Sequence, residues 1–184
     1  MADKSHAFAG PSAAGITACE SFAGNLKLLR WLLRLGAAER SFAFNAIENP
    51  GPLARLQGNP AANFMSGKYN TSVLSEDLIL YRAGEAGKPL GQWFTREAPQ
   101  SVAQVRIDSA VKSQWIDSRT GVLTGSSPID TVYQIKIPKG TTIYEGPVGY
   151  QGGVHLGGPS TNQIFVQTPW NVRGVDVLSS RPIR

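Results

Sequence analysis

The sequence predicts an α+β protein, with a helical front half and a back half of short, mostly antiparallel or mixed strands around one helix. Three observations predict it. Apolar residues recur at helical spacing over 20–35, through Phe22, Leu26, Leu29, Leu32 and Leu33. After about residue 73 the texture changes to β-branched runs such as "DTVYQIKI" (130–137), which alternates with period two. Twenty glycines and twelve prolines in 184 residues call for many turns.

The elements follow in order. Residues 1–18, rich in Ala, Gly and Ser, are expected as a disordered or linker-like lead. Residues 20–35 form the first helix, with Lys27, Arg30 and Arg34 on its polar side. A second short helix is expected over 37–47 and ends at "NPGP" (49–52). "LARLQGNPAANFMSGKYN" (53–70) is loop-rich, with room for one helical turn. "DLILYRAG" (77–84) is a strand, and "GKPLGQWFT" (87–95) a turn that leads into an aromatic pair. "PQSVAQVRIDSAVKSQW" (99–115) is expected as a helix. Pro99 lies in its first turn, Ser101 and Gln104 have capping-box spacing, and Ala103, Ile107, Ala110 and Val111 form a face. Residues 117–128 are a loop, and 130–137 a strand that "PKG" turns into "TTIYEG". "NQIFVQ" (162–167) and "VRGVDVL" (172–178) supply the last strands. The expected organisation is a lead plus helical segment over 1–65 and a functional domain over 66–184.

Composition narrows the chemistry. Apolar content is 41% and charged content 17%, a folding composition light in charge. The net charge of +5 favours anionic partners, although scattered basic residues give the same sum. One cysteine, Cys19, rules out an intramolecular disulfide and a cysteine-based zinc site. With His6 and His155 as the only histidines, a His-rich metal site is excluded too, so no metal is expected. The N-terminus "MADKSHAFAGPSAAG" lacks the apolar segment of a signal peptide. "LKLLRWLLRLGAA" is too short and too charged to span a bilayer.

Several residues stand out, each with two readings. Arg82 ends a strand and is followed by "AG": it either grips a phosphate through paired hydrogen bonds or is a solvated strand end. Trp93 and Phe94 either stack on a planar ring or fill the core. Arg106 meets a second phosphate or pairs with Asp108 or Glu97. His155 is a loop residue or the proton-transfer group of a nuclease with Lys136 or Arg106. "YQGGVHLGGPSTNQIFV" (150–166) places four glycines before Gln163, as a hairpin turn or as a mobile lid.

The order "YRAG…G…GQWFT", "SVAQVRIDSA", then "VYQIKIPKGTTIYEGPVGYQGG…GG…NQIFV" resembles the C-terminal domains of bacterial polymorphic toxins delivered by haemagglutinin-like or Rhs-like proteins. Within them it is similar to the tuberculosis necrotizing toxin group of NAD glycohydrolases and, more distantly, to the ADP-ribosyltransferases. The resemblance spans about residues 70–180. It implies a split, twisted, mostly antiparallel sheet of ADP-ribosyltransferase type with NAD as substrate in the cleft. By the same resemblance Arg82 and Arg106 hold the NAD phosphates, and Trp93 or Phe94, with Thr95 of "GQWFT", closes on the nicotinamide. Gly152, Gly153, Gly157 and Gly158 form the flexible loop, and Gln163 is the catalytic amide. Most ADP-ribosyltransferases have a glutamate there. This loop is also longer than the group's compact form, which leaves Gln151 as the other candidate amide.

The chemistry suits these residue types. The nicotinamide–ribose bond breaks through an oxocarbenium-like transition state, and nicotinamide leaves without protonation. A diphosphate clamp, an aromatic wall and a hydrogen-bond acceptor at the ribose supply what is needed. An amide cannot act as a general base, so hydrolysis is placed ahead of transfer to a protein or RNA, with a nuclease third and a non-catalytic binding module fourth. The resemblance further implies a secreted effector acting in a target-cell cytoplasm, a larger secreted parent protein and a cognate immunity protein, acidic against a basic toxin. Nucleic acid enters only as an ADP-ribosylation target, and no membrane span is expected.

Overall fold

A computed structural model of the chain describes residues 41–184 except 118 and 159. The expected lead and the helix at 20–35 lie outside the described residues. Phe42–Arg184 forms one compact unit, an α+β fold dominated by antiparallel pairing. Its strands are β1 (Asn70–Val73), β2 (Leu78–Gly84), β3 (Trp93–Phe94), β4 (Gln114–Ile116), β5 (Leu123–Ser126), β6 (Thr131–Ile137), β7 (Thr142–Pro147), β8 (Asn162–Phe165) and β9 (Asp176–Pro182). Among the described residues one α-helix, α1 (Val102–Ile107), joins several short 3-10 turns.

The strands sort into a four-stranded sheet, β1-β7-β8-β3, a three-stranded sheet, β2-β6-β9, and the small hairpin β4-β5. The Pro138-Lys139-Gly140 turn is present, but it hands the chain from one sheet to the other. β6 pairs with β2 and β9, whereas β7 pairs with β1 and β8. The two large sheets meet at one isolated bridge, Tyr81–Thr95, with N–H···O distances of 2.9 and 2.8 Å.

Period-two alternation explains the layers. Leu80, Phe94, Tyr133, Ile135, Ile137, Ile143, Ile164 and Val166 come from both sheets and form the core between them. Phe165, one residue from Ile164, faces the other way, onto Leu53, Ala61, Phe64 and Tyr69. Val105 of α1 packs on Val132 and Ile183 of the outer face of the three-stranded sheet. Each large side chain buried this way contributes about 1.5–3 kcal/mol.

Four expectations change. The second helix is not seen in its described part: Phe44 instead bridges Tyr69 and stacks on its ring at 4.8 Å. Local helical propensity yields here to pairing with a distant residue. Nor does a break appear at 65/66, because Leu53, Ala61 and Phe64 belong to the same compact unit as the strands. The helix expected over 99–115 is shortened to Val102–Ile107. Its start is as expected, with the Ser101 side chain accepting the Gln104 N–H. Its end comes early because Ala110 adopts a left-handed φ of 52° and the Val111 N–H turns back to the Val105 carbonyl. The last strand lies at 176–182 rather than 172–178. None of its residues is buried, so it carries no hydrophobic signature.

Candidate functional site

A cavity of about 320 Å³ opens beside the Tyr81–Thr95 bridge, where the two sheets part. That volume is in the range of small-ligand sites. β2 brings Arg82 to it, β3 brings Trp93, β8 brings Gln163, and the segment after α1 brings Lys112. Among the described residues its lining includes two cations, Arg82 and Lys112, and no Asp, Glu or His.

Among the described residues Gln163 is the only buried polar one, at 7% exposure. It lies on the same face of β8 as Phe165, toward the segment that ends in Asn63. Its Nε2 donates to the Asn63 carbonyl at 2.6 Å. This bond fixes the amide, because the reverse orientation would set two carbonyl oxygens against each other. Among the described residues no group donates to Oε1, and no buried side-chain atom lacks a partner. The oxygen is therefore the atom that Gln163 presents to the cavity. The Asn63 carbonyl also accepts the Gly149 N–H at 2.8 Å. A Cβ on Gly149 would stand 2.7 Å from that oxygen, which is why a glycine passes there. Gln151 lines the cavity too, from a partly exposed loop position.

Arg82 donates from Nη1 to the Lys88 carbonyl at 2.9 Å. Its guanidinium lies between two glycines: a Cβ on Gly84 would come within 2.6 Å of Nη1, and one on Gly91 would overlap Nε. Burial pulls the guanidinium below its ordinary value, with Tyr133 opposing, yet an arginine stays charged. Gly91→Ala is therefore expected to displace the guanidinium without removing it. The expected outcome is a rise in KM of about tenfold for an anionic substrate, with the melting temperature close to wild type. An unchanged KM would show that Arg82 does not hold substrate.

The aromatic pair divides. Phe94 is 2% exposed and belongs to the inter-sheet core. Trp93 is partly exposed, braced by Phe64 (5.4 Å) and Phe165 (4.9 Å), and of the two it is the one placed to stack on a ligand. Thr95 lines the cavity, but its hydroxyl donates to the Glu97 carbonyl at 2.7 Å.

Arg106 is not brought to the cavity. It pairs with neither Asp108 nor Glu97. Its Nη1 donates to the carbonyls of Val111 (3.2 Å) and Lys112 (2.7 Å), and its Nη2 to that of Ser127 (2.5 Å). Its fork is thus used to hold backbone. The glycine loop docks on the end of α1. His155 Nδ1 meets the Arg106 carbonyl at 2.9 Å, and the N–H groups of Gly157 and Gly158 donate to Ile107 and Asp108 at 3.0 and 2.8 Å. Those are carbonyls that a helix end leaves without partners. His155 is outside the cavity lining, which removes support from the nuclease reading. Gly152 and Gly153, at φ 96° and 58°, shape the loop's turn and do not line the cavity.

The chain is similar in part to two solved structures. It matches a chain of the structure of Tne2 in complex with Tni2 at 14% identity and a TM-score of 0.49, over 65% of this chain and 97% of that one. It matches a chain of the structure of Tse6 in complex with Tsi6 at 12% identity and a TM-score of 0.40, over 64% of this chain and 77% of that one. No protein-family model matches the sequence, and no curated protein does.

Sequence reasoning missed Asn63, Lys112 and Trp115, all of which line the cavity. Asn63 sat in a stretch read as loop outside the domain, and Lys112 and Trp115 in a stretch read as helix. A proline-led turn, "NPAAN", was the one local signal at Asn63. Chemically the cavity can bind an anion and a planar ring and offer a fixed amide oxygen. Among the described residues its lining holds no carboxylate, imidazole or thiol. Among the described residues, no helix is long and apolar enough to cross a membrane.

Proposed function

We propose that this chain is an antibacterial effector that hydrolyses the nicotinamide–ribose bond of NAD. The observation that carries the reading is a basic cavity, free of carboxylate and histidine among the described residues, into which Gln163 turns an amide oxygen. Arg82 clamps the diphosphate, Trp93 walls the nicotinamide, and Gln163 Oε1 accepts from a ribose hydroxyl as positive charge grows at C1′. The C1′–N bond breaks with its electron pair on nitrogen, which makes nicotinamide neutral. Water adds at C1′ and its proton passes to solvent. No lining residue is needed as acid or base, and among the described residues the lining holds no carboxylate or imidazole for either role.

Transfer to a protein or RNA is the second reading. Deprotonating an acceptor would call for a carboxylate, and among the described residues the lining contains none. The two sheets parting around one bridge are in keeping with a split sheet of ADP-ribosyltransferase type. The effector role, the larger parent protein and an immunity protein rest on the sequence resemblance. A net charge of +5 favours an acidic surface on that partner. Incubating the full chain with NAD alone is expected to release nicotinamide in stoichiometric amount with ADP-ribose. No release without a macromolecule present would sink hydrolysis, and label from NAD recovered in protein or RNA would establish transfer.

A further inference from the structure

We infer that the segment after α1 builds a nucleoside-diphosphate subsite in which Lys112 is the second phosphate-binding cation and Trp115 the platform for the base. The inference rests on the NAD reading but reaches residues that neither composition nor resemblance singled out.

Lys112 is half-buried and lines the cavity. Among the described residues three ion pairs form, Lys88–Glu85, Arg96–Glu145 and Lys136–Asp176, and Lys112 is in none. Lys112 lines a cavity whose described lining holds no carboxylate, so an anion that neutralises it there comes from outside that lining. The position is also built rather than incidental. Arg106 holds the carbonyl of Lys112 itself, at 2.7 Å, along with those of Val111 and Ser127. The arginine expected at the phosphates thus sets the backbone of the lysine that replaces it there. Two cations, Arg82 and Lys112, then suit the two phosphates of one diphosphate.

Trp115 lines the same cavity and is 45% exposed. It pairs across the β4–β5 hairpin with Gly125, where even a Cβ would lie 3.5 Å from the indole. The ring has hairpin backbone on one side and cavity beside it. An indole with an accessible face stacks on any nucleobase. Lys112 and Trp115 are three residues apart in one short segment, so phosphate and base are read by one wall. Trp93 and Gln163 come from β3 and β8, separate elements of the lining. The arrangement selects a nucleotide with a base beyond the diphosphate, and it does so apart from the bond-breaking groups.

The test is calorimetric titration of the full chain with ADP, which carries no nicotinamide. Wild type is expected to bind it. Lys112→Met is expected to raise the Kd about tenfold and Lys112→Arg to restore it. Trp115→Ala is expected to weaken ADP similarly and Trp115→Phe to restore most of the affinity, with melting temperatures showing that each variant is folded. No ADP binding by wild type, or equal binding by Lys112→Met and Trp115→Ala, overturns the subsite. A chain that binds ADP through these residues yet releases no nicotinamide from NAD refutes hydrolysis and leaves the subsite standing. A chain that cleaves NAD with an unchanged KM in both variants refutes the subsite alone.

Discussion

Gln163→Ala is expected to lower nicotinamide release from NAD by about 100-fold or more, the usual cost of removing one fixed group that stabilises charge in a transition state. The protein should still fold. The Asn63 carbonyl keeps the Gly149 N–H as a donor after the amide is gone, so the stability loss should be near ~1 kcal/mol. A large fall in kcat with a small fall in melting temperature is the expected pair of results. A variant that cleaves NAD at the wild-type rate would remove Gln163 from the mechanism and return attention to Gln151. Gln163→Glu is the sharper partner. An ionised carboxylate would face the Asn63 carbonyl with no proton to donate, inside a site where residue 163 is 7% exposed. Both effects favour the protonated form against the attraction of Arg82 and Lys112 in the same lining, and the expected net result is a raised folded-state pKa for the introduced acid. The unfolded chain would then ionise first as pH rises. Stability relative to wild type is therefore greatest below the unfolded carboxylate pKa and is lost as pH rises through the folded one. Thermal melts of Gln163→Glu between pH 4 and pH 8, roughly the range that separates those limits, check the sign. A melting temperature rising with pH relative to wild type would show that the amide is not held as described.

Starting the chain at residue 66 is expected to abolish folding. The deletion removes Leu53, Ala61 and Phe64, which pack with Tyr69 and Phe165 at 6% exposure or less. It also removes the Asn63 carbonyl that orients Gln163. Losing one Leu or Phe from a packed core costs about 2–5 kcal/mol, and a domain has only about 5–15 kcal/mol in total. A chain starting at residue 41 keeps every one of these groups and is the matched comparison. Circular dichroism and NAD turnover on the two chains decide the matter. A chain from 66 that folds and turns over would show that the segment 42–65 is dispensable.

Much of the fold was legible because several strands carry their own signature. β2 and β6 appear in sequence as runs of Leu, Ile, Tyr and Val, because they contribute core residues such as Leu80, Ile135 and Ile137. The start of α1 was legible through Ser101, whose cap is a contact over three residues. Its end was not. Nothing local marks Ala110 for a left-handed φ, and the turn is held by Arg106, whose guanidinium reaches Ser127 across 21 residues. β4 and β5 have no buried residues, so no periodicity announced them, and β9, which has none either, was expected four residues too early.

The candidate site divides along the same line. Arg82, Trp93 and Gln163 were legible because each sits in or at the head of a patterned strand beside turn glycines. Asn63 and Lys112 were not, because a loop asparagine and a helix lysine look ordinary until distant chain is packed against them. The order of residues by itself established an α+β chain with no disulfide and no cysteine- or histidine-rich metal site, and a short set of residues suited to an anionic, ring-bearing substrate. Which of those residues face one cavity was decided by packing. Alternation puts Phe94 in the core and leaves Trp93 beside the ligand space. A backbone carbonyl 100 residues away turns the Gln163 amide. The arginine expected at the phosphates spends its hydrogen bonds on backbone carbonyls, and a lysine six residues on lines the cavity instead. Those outcomes depend on contacts between segments far apart in the chain, which no local pattern encodes.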